Sequence, residues 1–183
     1  MPYNPNIHHR RSVRLKEYDY SQEGLYFVTI CVKNGEYLFG NIIDGEMVLN
    51  EYGKIVEKCW LEITQHYPDT ILHEFVVMPN HLHGIIEITV GANNYSPNYS
   101  PKCLKNDNGA NDDSPLQRPN GTSRTIGAIV RGFKIGVTKQ FGYSAWQRSF
   151  HEHIIRNRNA HARIAEYIVN NPKIWETDRF YTK

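Results

Sequence analysis

The stretch Met78-Pro79-Asn80-His81-Leu82-His83-Gly84-Ile85-Ile86 constrains this chain more than any other. After the Pro-Asn break it reads as a β-strand, and strand side chains alternate between two faces. Leu82, Gly84, Ile86, Ile88 and Val90 then share one face with no polar group, the wall of a core. His81 and His83 share the other face, ahead of Ile85, Glu87 and Thr89. Two parallel imidazoles suit a divalent metal ion. Two polar side chains on a solvated strand face obey the same alternation, and this geometry alone leaves both readings open.

The remainder reads as alternating strands and helices. Tyr26–Val32 is β-branched and aromatic, a central strand by composition. Leu38–Ile43 and Glu46–Leu49 flank Asp44-Gly45, a hairpin turn. Asn50 caps a helix to about His66, whose stripe is Ile55, Val56, Cys59, Trp60 and Ile63. Ile71–Met78 reads as a second central strand, antiparallel to the one that follows it. Ser123 caps a helix to about Phe141, with Gly127, Gly132 and Gly136 marking close approach of another backbone. Trp146–Ile155 reads as a strand carrying a second pair, His151 and His153. Asn159 caps a last helix, 160–171, stopped by Pro172.

Length and composition bound the rest. At 183 residues the chain is expected to be one domain, 1–183. Gly, Asn, Ser, Pro and Asp dominate about 91–123, where Asn-Tyr-Ser-Pro repeats, and this reads as a flexible insert. No run of 18 apolar residues is present, so no membrane helix is expected. Three scattered cysteines and no apolar leader fit a reducing cytoplasm. The net charge of +2 conceals a segregation. Residues 34–90 hold two Lys/Arg against nine Asp/Glu, whereas 124–158 hold seven against one. A basic segment of this kind fits a polyanionic partner, or a solvated face.

Tyr167 and Asn171 stand four residues apart on the last helix, so they share a face. Asn171 offers a carbonyl oxygen as a third ligand, and Tyr167 then lies beside the metal. A phenol ionises near pH 10 and needs a cation or base to become a nucleophile. A metal on a phosphodiester oxygen lowers the barrier to such attack. A packing aromatic and a helix-terminal asparagine are the plainer readings of the same two residues.

The segments Tyr26-Phe27-Val28-Thr29, Met78-Pro79-Asn80-His81-Leu82-His83-Gly84, Trp146-Gln147-Arg148-Ser149-Phe150 and Glu166-Tyr167-Ile168-Val169-Asn170-Asn171-Pro172 occur in one order. In this the chain resembles the single-tyrosine HUH transposases of the insertion-sequence type (IS200-like), and within them the REP-associated tyrosine transposases. The resemblance implies an α+β, ferredoxin-like (RRM-like) sandwich with a central antiparallel sheet. It implies that His81, His83 and Asn171 hold Mg²⁺ or Mn²⁺, with asparagine where the insertion-sequence branch more often has glutamine. Tyr167 would attack single-stranded DNA beside a hairpin, leaving a 5′-phosphotyrosine and a free 3′-hydroxyl, in a monomer or a homodimer. Phosphate contacts are expected from Arg124, Arg131, Lys134, Lys139 and Arg148, and from Arg10, Arg11 and Arg14 on an N-terminal arm. No accessory acid or base beside Tyr167 is evident, since Glu166 faces about 100° away. A hairpin-binding protein that no longer cuts, and a metal-dependent phosphoesterase for small nucleotides, are the alternatives.

Overall fold

A computed structural model of the chain describes residues 22–89 and 125–181. Strand β1 (Gly24–Cys31) is followed by the hairpin β2 (Gly40–Ile43) and β3 (Glu46–Leu49). Helix α1 (Glu51–Leu61), the short α2 (Ile63–His66), β4 (Thr70–Met78) and β5 (His81–Ile88) come next. After the insert lie α3 (Ile126–Phe141), β6 (His151–Ile155) and α4 (Arg158–Asn170), which runs into a 3-10 turn over Asn171–Thr177.

The main sheet is antiparallel throughout, with spatial order β4-β5-β1-β6. Leaving out the hairpin, this is a βαββαβ chain with its first and third strands at the centre, the ferredoxin-like arrangement. The alternation expected of β5 holds. Leu82, Ile86 and Ile88 join Tyr26, Val28 and Ile30 of β1 in a core covered by α1 and α3. Val56, Cys59 and Trp60 come from α1, and Ile126, Ile129, Val130, Phe133 and Val137 from α3. Gly84 lies directly under the Trp60 indole, where a Cβ would overlap Cζ2. Gly132 likewise admits Tyr67, whose hydroxyl donates to the Ala128 carbonyl at 3.0 Å. What approaches Gly132 is thus a side chain, where another backbone was expected.

The second face of the sheet is covered as well. Phe27, Val76, Ile85 and Ile155 pack against Ile164, Ala165, Tyr167 and Ile168 of α4. The β5 histidines consequently lie in a second interior rather than on a solvated surface.

Several local expectations change. β4 is an edge strand, not a central one, because β1 enters on the other side of β5. The strand expected over Trp146–Ile155 forms only from His151; Trp146 makes a lone bridge to Val32 and buries its ring against Phe39 and Phe133. The first helix breaks at Glu62. Asn50 caps it as expected, accepting from the Gly53 N–H at 3.0 Å. The other caps are Thr125 and Asn157, each accepting from the N–H three residues on, in place of Ser123 and Asn159. Ser123, Val90 and the 91–123 insert lie outside the described residues. Asp44 and Gly45 take positive φ (53° and 77°), as a two-residue hairpin turn requires.

Candidate active site

Cross-strand pairing fixes the two histidines before any side chain is considered. His83 sits between Thr29 of β1 and Val76 of β4, and His81 between Cys31 and Met78. Both imidazoles are buried, at 0% and 1% exposure, with ring centroids 4.4 Å apart.

Each ring is held through Nδ1. The Asn80 amide nitrogen donates to the carbonyls of Phe180 (2.7 Å) and Gly35 (3.2 Å). Its oxygen must then accept, so His81 Nδ1–H donates to Asn80 Oδ1 at 2.8 Å. That tautomer leaves His81 Nε2 with its lone pair, buried and without a hydrogen-bond partner. His83 Nδ1 is 2.8 Å from the buried Thr29 hydroxyl, which fixes the orientation of its ring. Burial keeps both rings neutral: it lowers His81 to about 4, and lowers His83 well below 6.5 with help from His81 and Arg179. A neutral imidazole is the metal-ligating form, and His81 Nε2 is free to serve as a ligand.

Helix α4 brings the other two candidates. The Tyr167 oxygen stands 3.2 Å from His83 Nε2, and its O–H donates to Asp178 Oδ2 at 2.9 Å. Asn171 Nδ2 donates to that same carboxylate oxygen at 3.0 Å. Its own oxygen, Oδ1, is buried without a partner. The four residues singled out from sequence thus gather in one cluster, through a residue that was not foreseen.

Asp178 escapes sequence reading because it lies beyond Pro172, past the end of the periodic helix. The 3-10 turn folds it back, and its Oδ1 accepts from the Phe180 N–H at 2.8 Å, an Asx-type turn. An Asp two residues before an aromatic, just after a helix stop, is the available signal. Thr29 and Asn80, which aim the rings, were also missed; the first is readable only once β1 and β5 are paired. Phe180 closes the site, its ring 4.6 Å from that of His81.

Desolvation, the Asp178 charge and the hydrogen bond to Asp178 push the Tyr167 hydroxyl up to about 12. Asp178 is held below its ordinary 3.8: desolvation opposes this, and the bonds from Phe180, Asn171 and Tyr167 outweigh it. The cluster therefore favours the neutral phenol and has cation-seeking atoms around it. Two imidazole nitrogens and an amide oxygen, two of the three without a partner, fit a divalent ion.

The basic candidates are dispersed. Arg131 and Lys139 are exposed on α3, the helix packed on the opposite face of the sheet. Arg148 is exposed in the loop leading into β6. Lys134 is half-buried and donates to the carbonyls of Gln147 (2.8 Å) and Ser149 (3.0 Å), so it orders that loop. Burial lowers its ammonium to about 8. Arg10, Arg11, Arg14 and Arg124 lie outside the described residues. Beside the cluster stand Arg179, whose guanidinium rests 4.5 Å from the Phe180 ring, and Arg163. His151 and His153 pair with Thr29 and Phe27 on the edge strand β6, and therefore face the same way as His83. Phe27, His153, Arg163, Ile164 and Tyr167 line a cleft of about 440 Å³.

No family model matches the chain. An uncharacterized protein from Haemophilus influenzae is 47% identical over 190 residues, covering 98% of this chain and 97% of that one. A second protein of that organism, named "Putative REP-associated tyrosine transposase", is 24% identical over 155 residues, 84% of this chain and 73% of that one. Among solved structures, a REP-associated tyrosine transposase bound to a REP hairpin shares the fold, with a TM-score of 0.53 over 86% of this chain and 73% of that one, at 20% identity. The chain thus belongs to one family with the 47%-identical H. influenzae protein, and in sequence and fold it is similar to the REP-associated tyrosine transposases that its motifs resemble.

Proposed function

We propose that this protein cuts and rejoins single-stranded DNA beside a hairpin through a 5′-phosphotyrosine, as a transposase. Tyr167 is the nucleophile, and His81, His83 and Asn171 hold Mg²⁺ or Mn²⁺. One observation carries the reading: a tyrosine hydroxyl 3.2 Å from the Nε2 of a buried, neutral histidine, beside two buried ligand atoms that have no partner. The solved relative bound to a REP hairpin supports the choice of partner.

When bound, the ion supplies Lewis-acid polarisation of the phosphodiester and favours ionised phenol. Two nitrogens in the ligand set make Mn²⁺ the better match. The Tyr167 hydroxyl gives its proton to solvent as its oxygen forms a bond to phosphorus and the P–O3′ bond breaks, and the 3′ oxygen leaves with the electron pair and takes a proton from solvent. Asp178 receives the phenol's hydrogen bond, but the phenol is pushed up to about 12 while the carboxyl is held below its ordinary range. Asp178 therefore aims Tyr167 and Asn171 and is too weak a base to ionise the phenol by itself. Attack of a 3′-hydroxyl on the phosphotyrosine reverses the step, with no nucleotide cofactor.

The cleft lined by Phe27, His153 and Tyr167 offers aromatic surface for an unpaired base, with Arg163 and Arg179 near the backbone. Arg131, Lys139 and Arg148 are left for phosphates of the hairpin stem, and Arg10, Arg11, Arg14 and Arg124 for an arm beside it. The packing of α4 on its own sheet supports a tyrosine that acts within its own chain, in a monomer or a homodimer.

The test is incubation with single-stranded DNA containing a hairpin from the flanks of the gene, in Mn²⁺. A covalent protein–DNA band on a denaturing gel is expected, lost in Tyr167→Phe with hairpin binding retained. A gel shift with no covalent band would select the hairpin-binding alternative, and a band that survives Tyr167→Phe would exclude this nucleophile.

A further inference from the structure

The opposite end of the same sheet face carries a second cluster of ligand side chains. β4 is irregular at its middle: Leu72 pairs with Ile86 and Phe75 with Gly84, so His73 and Glu74 together oppose Ile85. In a regular strand these neighbours point to opposite faces. A bulge re-aims one of them, and here both reach the α4 side. The helix meets them with His161, from its first turn. One ligand atom from each of His73, Glu74 and His161 lies within 4.8 Å of the others. The two rings stand 5.3 Å apart at 77°.

Two details go beyond proximity. His161 Nε2 is buried with no hydrogen-bond partner, and Glu74 Oε2 is 3.8 Å away, too far for a hydrogen bond. His73 Nε2 is 2.8 Å from Glu87 Oε2. A neutral ring donating there keeps its lone pair on Nδ1. A carboxylate behind an imidazole is the usual support of a metal-binding histidine. The site also has access to solvent, since His73, Glu87 and His161 border a pocket of about 540 Å³. Arg156 and Arg158 share that pocket, so the carboxylates of Glu74, Glu87 and Glu23 work against two positive charges.

We propose that His73, Glu74 and His161 form a second divalent-cation site, suited to a borderline ion such as Zn²⁺. Two imidazoles and one carboxylate are a zinc donor set that leaves the fourth position to water. The site is offset from the His81–His83 cluster: His73 and Glu74 lie on the neighbouring strand opposite Ile85, two residues along β5 from His83, about 7 Å. A metal there ties the first turn of α4 to the edge strand. Six residues on, about 9 Å along the helix, lies Tyr167. The site thus anchors the helix that carries the hydroxyl, and it stands or falls independently of the chemistry assigned to that hydroxyl.

The test is Zn²⁺ titration of the full chain by calorimetry, repeated on Glu74→Gln and on His161→Ala, with Co²⁺ absorption as a second readout. Each variant should lose one tight equivalent, or bind it at least about tenfold more weakly. The rise in melting temperature that Zn²⁺ gives the parent should shrink in step. Glu74 is 41% exposed at its side chain and Gln has its shape, so that variant should fold as the parent does. Equal stoichiometry and affinity in parent and both variants would overturn the site, as would a parent whose Co²⁺ spectrum is unchanged by either substitution.

Discussion

Tyr167 and Asn171, one helical turn apart, hydrogen-bond the same oxygen, Asp178 Oδ2, at 2.9 and 3.0 Å. The carboxylate thereby sets two orientations at once. It fixes the phenol, and by taking the amide nitrogen of Asn171 it determines which end of that amide remains for a ligand. Asp178→Ala should therefore weaken Mn²⁺ binding ten- to a hundredfold, the usual cost of losing a partner that orients a ligand. Asp178→Asn, which keeps an acceptor but loses the charge, should fall between. An unchanged Mn²⁺ dissociation constant in the alanine variant would show that Asn171 is aimed by something else.

The buried histidines make the metal-free protein sensitive to acid. His81 is near 4 when folded and near 6.5 when unfolded. Between these values the unfolded chain binds more protons, so stability rises with pH through the window and is lost on acidification. His81 alone accounts for about 3 kcal/mol, and His83 acts in the same direction. Asp178 contributes in a different range, since its folded value lies below 3.8 and its share is lost only under stronger acid. Denaturant melts in EDTA at pH 7.5 and pH 4.5 would measure the slope; equal midpoints would contradict neutral, buried rings.

What the sequence made legible follows from what periodicity can carry. Alternation along β5 assigns Leu82 and Ile86 to one interior and the histidines to the other side, and both assignments hold. Helical spacing puts Tyr167 and Asn171 on one face, and both meet Asp178. Periodicity is silent on which element covers a face. Nothing near His83 in sequence announces α4, about eighty residues later. For the same reason β4, apolar enough for a centre, is an edge. The charge count found the basic segment 124–158, but its α3 residues Arg131 and Lys139 lie behind the sheet, and the arginines beside the cluster, Arg163 and Arg179, fall outside that segment. Thr29 acts through cross-strand pairing, which no local pattern records, and Asp178 through a turn beyond the helix stop, which periodicity does not reach.

Gly84 follows the second histidine because of Trp60. The indole is fully buried against that Cα, and a Cβ there would overlap it. Gly84→Ala should cost about 1–3 kcal/mol through overpacking. Adding Trp60→Phe, with its smaller ring, should recover part of that loss. Urea denaturation of the two variants checks this, and an unperturbed midpoint in Gly84→Ala would mean that α1 yields without cost.

The placement of charge predicts a division of labour between arginines. Arg179 is next to Asp178, and its charge bears on His81, His83 and Tyr167. Arg131 and Lys139 lie across the sheet from all of them. Arg179→Gln should then slow formation of the covalent adduct in a single turnover at saturating DNA. It should also reduce the salt dependence of binding by about one phosphate contact, a slope change of roughly 0.7 for an unpaired strand. Arg131→Gln and Lys139→Gln should lower affinity for the hairpin and leave that saturated rate unchanged. Rates of adduct formation for the three variants, with binding measured at several salt concentrations, separate the cases. If the α3 variants slow the saturated reaction while Arg179→Gln does not, the cleaved strand runs along α3 and the cleft beside Tyr167 has another use.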